Sequence, residues 1–182
     1  MKELLIKLNA CNEAREWASN KSIDEIWATC HRGHWMLWLA RKLNIDKRVL
    51  TLAKGHCANT VRHLMKDERS IAAVDTAIKY GEGNATDSEL AAAADAAYDA
   101  TADAYDAYAA DYATADAAAA YAAAAAAYAA AADADARKQS QQATAEICRK
   151  YIPLDLILAA IKSQEKQKAT IVTGKQIGRA HV

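Results

Sequence analysis

The sequence predicts an all-α protein, and three observations carry that prediction. Alanine, the best helix former, supplies 47 of the 182 residues. One proline, six glycines and no phenylalanine are too little turn and strand chemistry for a sandwich or barrel of many short strands. Elsewhere the apolar residues recur at helical spacing behind recognisable N-caps. The expected arrangement is an N-terminal bundle of short helices over 1–83. A long Ala/Asp/Tyr-rich helix follows over 84–164, any bend falling near 133–142, with a short C-terminal helix packing back. A polar tail over 165–182 completes the chain.

Taken in order, the residues from Leu4 to Ala18 space their apolar side chains at roughly helical intervals. Ser22 and Glu25 stand three apart and form a capping box that opens a helix running to Cys30. Gly33 punctuates, and His34 to Leu43 forms the next helix. Asp46 caps a longer one, with Val49, Ala53, Cys57 and Val61 on one stripe beside Leu50 and Leu64. Asp67 caps another, with Ile71, Val74 and Ile78 inward and Gly81 and Gly83 ending it. All four tryptophans (Trp17, Trp27, Trp35, Trp38) fall within 22 residues. They read first as core residues that supply volume to an alanine-rich protein; a ligand-binding cage or an interface hot spot is the functional alternative.

Thr86 and Glu89 form a second capping box, and two acids in the first turn suit the helix dipole. From Ala91 to Ala136, 30 of 46 residues are alanine, and no glycine or proline interrupts the chain between Gly83 and Pro153. One straight helix over that span would measure about 100 Å. A compact chain of this length has a radius of gyration of about 16 Å, so such a helix must project or bend. Tyr98, Tyr105, Tyr108 and Tyr112 share an arc of about 80° on the helical wheel. Asp95, Asp99, Asp103 and Asp106 share another, centred well away. Tyr121 and Tyr128 point elsewhere. Pro153 fits the first turn of a final helix, Leu154 to about Gln164, with Leu154, Ile157, Leu158 and Ile161 inward.

The formal charge sums to zero but is strongly segregated. Residues 1–86 hold 14 basic and 10 acidic groups; 87–136 hold ten acids and no base; 137–182 hold nine bases and three acids. The acidic stripe has a bland reading, a solvated face that keeps an alanine-rich helix in solution. The sharper reading is a docking face for a basic protein. Its sign disfavours nucleic acid as a partner. The threonines Thr101, Thr114 and Thr144 lack the regular period an ice-binding helix would need.

No secretory signal is expected, because Met1-Lys-Glu-Leu-Leu-Ile-Lys7 has no apolar run and no small-residue cleavage site. No membrane partner is expected either: the longest uncharged run, Ala117 to Ala132, is 16 residues of mostly alanine. Cys11, Cys30, Cys57 and Cys148 are widely spaced and read as buried small hydrophobes of a cytoplasmic protein, with a disulfide pair as the alternative. His31, His34, His56 and His63 form no tight ligand pairs, so no metal and no cofactor are expected. Cys57 beside His56 is a poor nucleophile pair, since adjacent helical residues point apart. No phosphate-loop, dinucleotide, nucleophile-elbow or zinc-protease motif occurs, and the chain reads as non-enzymatic. The last six residues, Ile177-Gly-Arg-Ala-His-Val182, read as the translation of a common sequencing adapter, so Arg179 and His181 carry no functional weight.

The run Trp27-Ala-Thr-Cys-His-Arg-Gly-His-Trp-Met-Leu-Trp-Leu39, preceded by Ala10-Cys11-Asn12-Glu13-Ala14, resembles a family of bacterial and phage proteins. So do Asp67-Glu-Arg-Ser-Ile-Ala-Ala-Val74, Ala85-Thr86-Asp87-Ser88-Glu89-Leu90 and Ile147-Cys148-Arg149-Lys150-Tyr151-Ile152-Pro153. These are described as immunity proteins of polymorphic toxin systems, the Imm-5-like group, and the likeness spans roughly residues 8–162. The resemblance implies a cognate protein toxin as partner, held by stoichiometric occlusion; taken with the charge segregation, it makes Asp95, Asp99, Asp103 and Asp106 the candidate partner-binding face. It brings no catalytic residue with it. The contrasting expectation is a structural scaffold whose alanine helix self-associates.

Overall fold

A computed structural model describes residues 2–102 and 134–177, with side chains placed for 2–99 and 138–166. The described residues form nine α-helices, one short 3-10 turn and no strand, which is the all-α class. They are α1 (Lys2–Lys7), α2 (Asn12–Trp17), α3 (Ile23–Thr29), α4 (Gly33–Lys42), α5 (Lys47–Asn59), α6 (Glu68–Gly81), α7 (Asp87–Ala102), α8 (Ala134–Tyr151) and α9 (Leu154–Ile177).

The caps that the sequence predicts are made. Ser22 accepts from the Glu25 backbone N–H at 3.2 Å while the Glu25 carboxylate accepts from the Ser22 N–H at 2.7 Å. Thr86 and Glu89 reciprocate in the same way at the start of α7, at 3.2 and 2.8 Å. Asp46 accepts from the N–H groups of Arg48 and Val49, and Asp67 from that of Arg69.

Three helices also end alike. After α6, Gly83 adopts φ +87°, its N–H donates to Tyr80 O, and the Asn84 N–H donates to Lys79 O at 2.7 Å. This is a Schellman closure. Asn9 (φ 59°) closes α1 and Asn44 (φ 57°) closes α4 with the same pair of bonds. Asparagine is the residue other than glycine that most readily visits this left-handed region.

α8 lies against both α4 and α5, α6 covers the far side of α5, and α7 covers α6. Small residues set the spacing. A β-carbon at Gly33 would sit 2.6 Å from the Thr144 carbonyl carbon, so α4 and α8 meet backbone to backbone at that point. Gly33 is thus more than punctuation between helices. The main core joins Leu5, Ile26, Trp27, Met36, Leu39 and Leu50 to Ala145, Cys148, Ile152 and Ile157. Residues 145–157 therefore complete the N-terminal bundle. The Trp27 indole N–H donates to Ile152 O at 3.2 Å. The Arg149 guanidinium donates back to Trp27 O and Cys30 O at 3.3 and 2.9 Å, capping the last carbonyls of α3 with a cation.

One boundary differs from expectation. α9 continues to Ile177, where the sequence reading ends it near Gln164. The polar run from Gln164 to Lys168 loses the apolar period, yet Gln, Glu and Lys are all good helix formers and the helix carries on through them. α8 is continuously helical from Ala134 to Tyr151, through most of the segment in which any bend is expected. Residues 103–133, and with them the continuity of the long helix, lie outside the described residues.

Candidate functional site

The N-terminus of α7 is anchored before its acidic face begins. Asp87 accepts from Lys47 Nζ at 2.7 Å and from the Tyr80 hydroxyl at 3.0 Å. Arg48 lies over the Tyr80 ring, 4.4 Å from its centroid, and donates to Tyr80 O. The Lys47 and Tyr80 hydrogen bonds hold the Asp87 carboxyl below its ordinary range. Beyond this anchor Leu90, Ala94 and Ala97 are buried, spaced four and three apart as one helical face requires.

Asp95 and Asp99 are exposed, one turn apart on the same side. Neither forms an ion pair among the described residues. Tyr98 is half-buried between them in sequence. Over 90–99, then, Leu90, Ala94 and Ala97 turn inward and Asp95 and Asp99 outward. Asp103, Asp106, Tyr105, Tyr108 and Tyr112 lie outside the described residues.

The cysteines and histidines occupy separate places. Cys30 and Cys148 are buried, Cys57 is half-buried and Cys11 is exposed, so the reading of all four as buried fails at Cys11. Cys11 immediately precedes α2, in a connection that leaves it open to solvent. Cys57 and Cys148 bring their thiols together between α5 and α8; the Cys57 contact, with burial, pushes the Cys148 thiol up. His56 stacks flat on Tyr151, centroids 4.3 Å apart and planes 5° from parallel. Burial there, and Lys150 nearby, lower its pKa. His56 and Cys57 thus face different neighbours. Among the described residues no three His, Cys, Asp or Glu side chains gather closely enough to hold a metal, and no helix is long and apolar enough to cross a membrane.

The tryptophans divide. Trp27 alone is fully buried, 3% exposed, and is a core residue as expected. Trp17, Trp35 and Trp38 are half-buried and, with Trp27, wall a cavity of about 370 Å³ among α1–α4. Its other walls include Leu5, Ala14, Ile26 and Leu39, and the exposed Asn9, Cys11 and His34 stand where it meets solvent. Trp17 and Trp35 lie 6.0 Å apart at 57°. Three of the rings each carry a cation from the chain itself. Lys21 is 4.2 Å from the Trp17 centroid, Arg32 4.3 Å from that of Trp35, and Lys42 6.0 Å from that of Trp38. Arg32 is also paired with Glu13 at 2.5 Å, which lowers the Glu13 pKa. The sequence shows the tryptophan cluster but not the cavity. The cation spacings are legible in it, since Lys21 and Lys42 stand four after their tryptophans and Arg32 three before.

No protein-family model, curated protein or solved structure matches the chain.

Proposed function

We propose that this chain is a non-enzymatic binding protein that neutralises a toxin by stoichiometric occlusion, an immunity protein of the kind its sequence resembles. The observation that carries the reading is the state of α7. One face is committed to α6 through Leu90, Ala94 and Ala97, while Asp95 and Asp99 stand exposed and without ion-pair partners among the described residues. They belong to a stretch of sequence, 87–136, with ten acids and no base, so the charge carried there is of one sign. Such a field speeds encounter with a basic partner more than it tightens the final complex.

The test begins with the product of the gene adjacent to this one. Co-expression should rescue growth arrested by a toxin encoded there, and the two proteins should form a one-to-one complex. Replacing Asp95, Asp99, Asp103 and Asp106 with Asn should slow association by about tenfold at low salt and change dissociation little. The difference should shrink as salt screens the charges. Unchanged association kinetics would remove the acidic face from the mechanism, and a failure to rescue would remove the immunity role.

A further inference from the structure

We propose that the tryptophan-walled cavity among α1–α4 is a binding site for a small, neutral, flat aromatic molecule of about two fused rings. None of the fifteen residues that line the cavity is Asp, Glu, Lys or Arg. The three cations nearby sit instead on the rings of Trp17, Trp35 and Trp38, and Glu13 is spent on Arg32. A quaternary-ammonium cage needs ring faces free of competing charge and a carboxylate. Here a cation of the chain lies on one face of each of three rings, which repels a second cation from the other face but leaves that face open to a neutral ring. A charged guest would enter with its charge unmatched, at a desolvation cost that nothing in the wall offsets. Desolvation and nearby Arg32 push the His34 pKa down, and burial pushes the Cys30 thiol up, so each shift disfavours charge at the wall.

Size sets the rest. An apolar cavity of about 150 Å³ accepts one benzene ring. At about 370 Å³ this one has room for two fused rings and a substituent. Indole walls favour an aromatic guest, which can stack offset on one ring and meet another edge-on; Trp17 and Trp35, tilted 57° to each other, present ring surfaces at two orientations. The Trp27 N–H is taken by Ile152 O, while Asn9 and His34 at the mouth can bond one polar edge of the guest.

The full chain is titrated with N-phenyl-1-naphthylamine, a neutral probe that brightens in apolar surroundings and receives energy from tryptophan. Saturable one-to-one emission, excited through tryptophan and displaced by indole, is expected. Indole-3-acetate and tryptamine, equal in ring system but charged, should compete at least tenfold less well. Ala14→Leu, which fills the cavity, and Trp35→Leu, which removes a stacking wall, should each weaken the probe at least tenfold while far-UV circular dichroism shows the helices intact. If one variant fails to fold, the other and the charge series still decide. Absence of saturable binding, equal competition by the charged analogues, or binding indifferent to the folded variant would each overturn the proposal.

Discussion

Asn44 holds a conformation that most side chains resist. Its φ of 57° closes α4, the Ile45 N–H reaching back to Ala40 O at 3.1 Å and its own N–H to Arg41 O at 3.0 Å. A β-carbon without a polar head gains nothing there, and left-handed backbone costs roughly 1–2 kcal/mol for an ordinary residue. Asn44→Ala should therefore lower stability by about 1 kcal/mol in urea unfolding, while Asn44→Gly should match or exceed the parent. The N-caps were legible in the sequence because Ser22, Asp46, Asp67 and Thr86 act on backbone groups two or three residues away. Asn9 and Asn44 were not, because a left-handed C-cap shows itself only once the last helical residue is known. Gly33 was legible as a glycine but not for its reason, which is a neighbour 111 positions along the chain. Gly33→Ala should cost about 1–3 kcal/mol, since its β-carbon meets backbone that cannot rotate away. A fall in melting temperature with chemical-shift changes around Thr144 would register it.

The helices carry acid sensitivity in their caps. Glu25 and Glu89 are held below their ordinary range first by the backbone N–H groups of Ser22 and Thr86. Asp75 is held down by Arg62, which clasps it with two guanidinium nitrogens, and Asp87 by Lys47 and Tyr80. For a carboxylate whose folded pKa is depressed, the stabilisation is present above the unfolded pKa, about 4, and disappears as pH falls through the lower folded value. Stability should thus hold from neutral pH down to about 4 and then decline. Glu89→Gln and Asp75→Asn should each flatten that decline, with lower stability at pH 7, in melting curves taken between about pH 7 and 2. Helix existence was readable from capping boxes and apolar periodicity. The end of α9 was not, since Lys162 to Ala169 keeps helix propensity while losing the apolar period that marks a packed face.

At the scale of the molecule, charge and volume are distributed unevenly, and only the first was visible in the chain. Segregation of ten acids into one stretch is a property of order along the sequence. The cavity is a property of how four helices cross. Trp17 and Trp35 are 18 positions apart, and no spacing rule says that their rings stand 6.0 Å from one another. The acidic surface also separates the two readings of the alanine-rich helix. Like charge along Asp95 and Asp99 resists stacking of one copy on another, so light scattering across a concentration series should return a monomer mass at moderate salt. A lasting oligomer would favour the scaffold instead.

The proposed function turns on the aspartate face drawing a basic protein partner onto this chain. The most direct measurement is the association rate with the proposed toxin partner, as a function of ionic strength, for the parent and the four-asparagine variant. A steep salt dependence in the parent that flattens in the variant is the predicted result. Equal rates with equal salt dependence would contradict it.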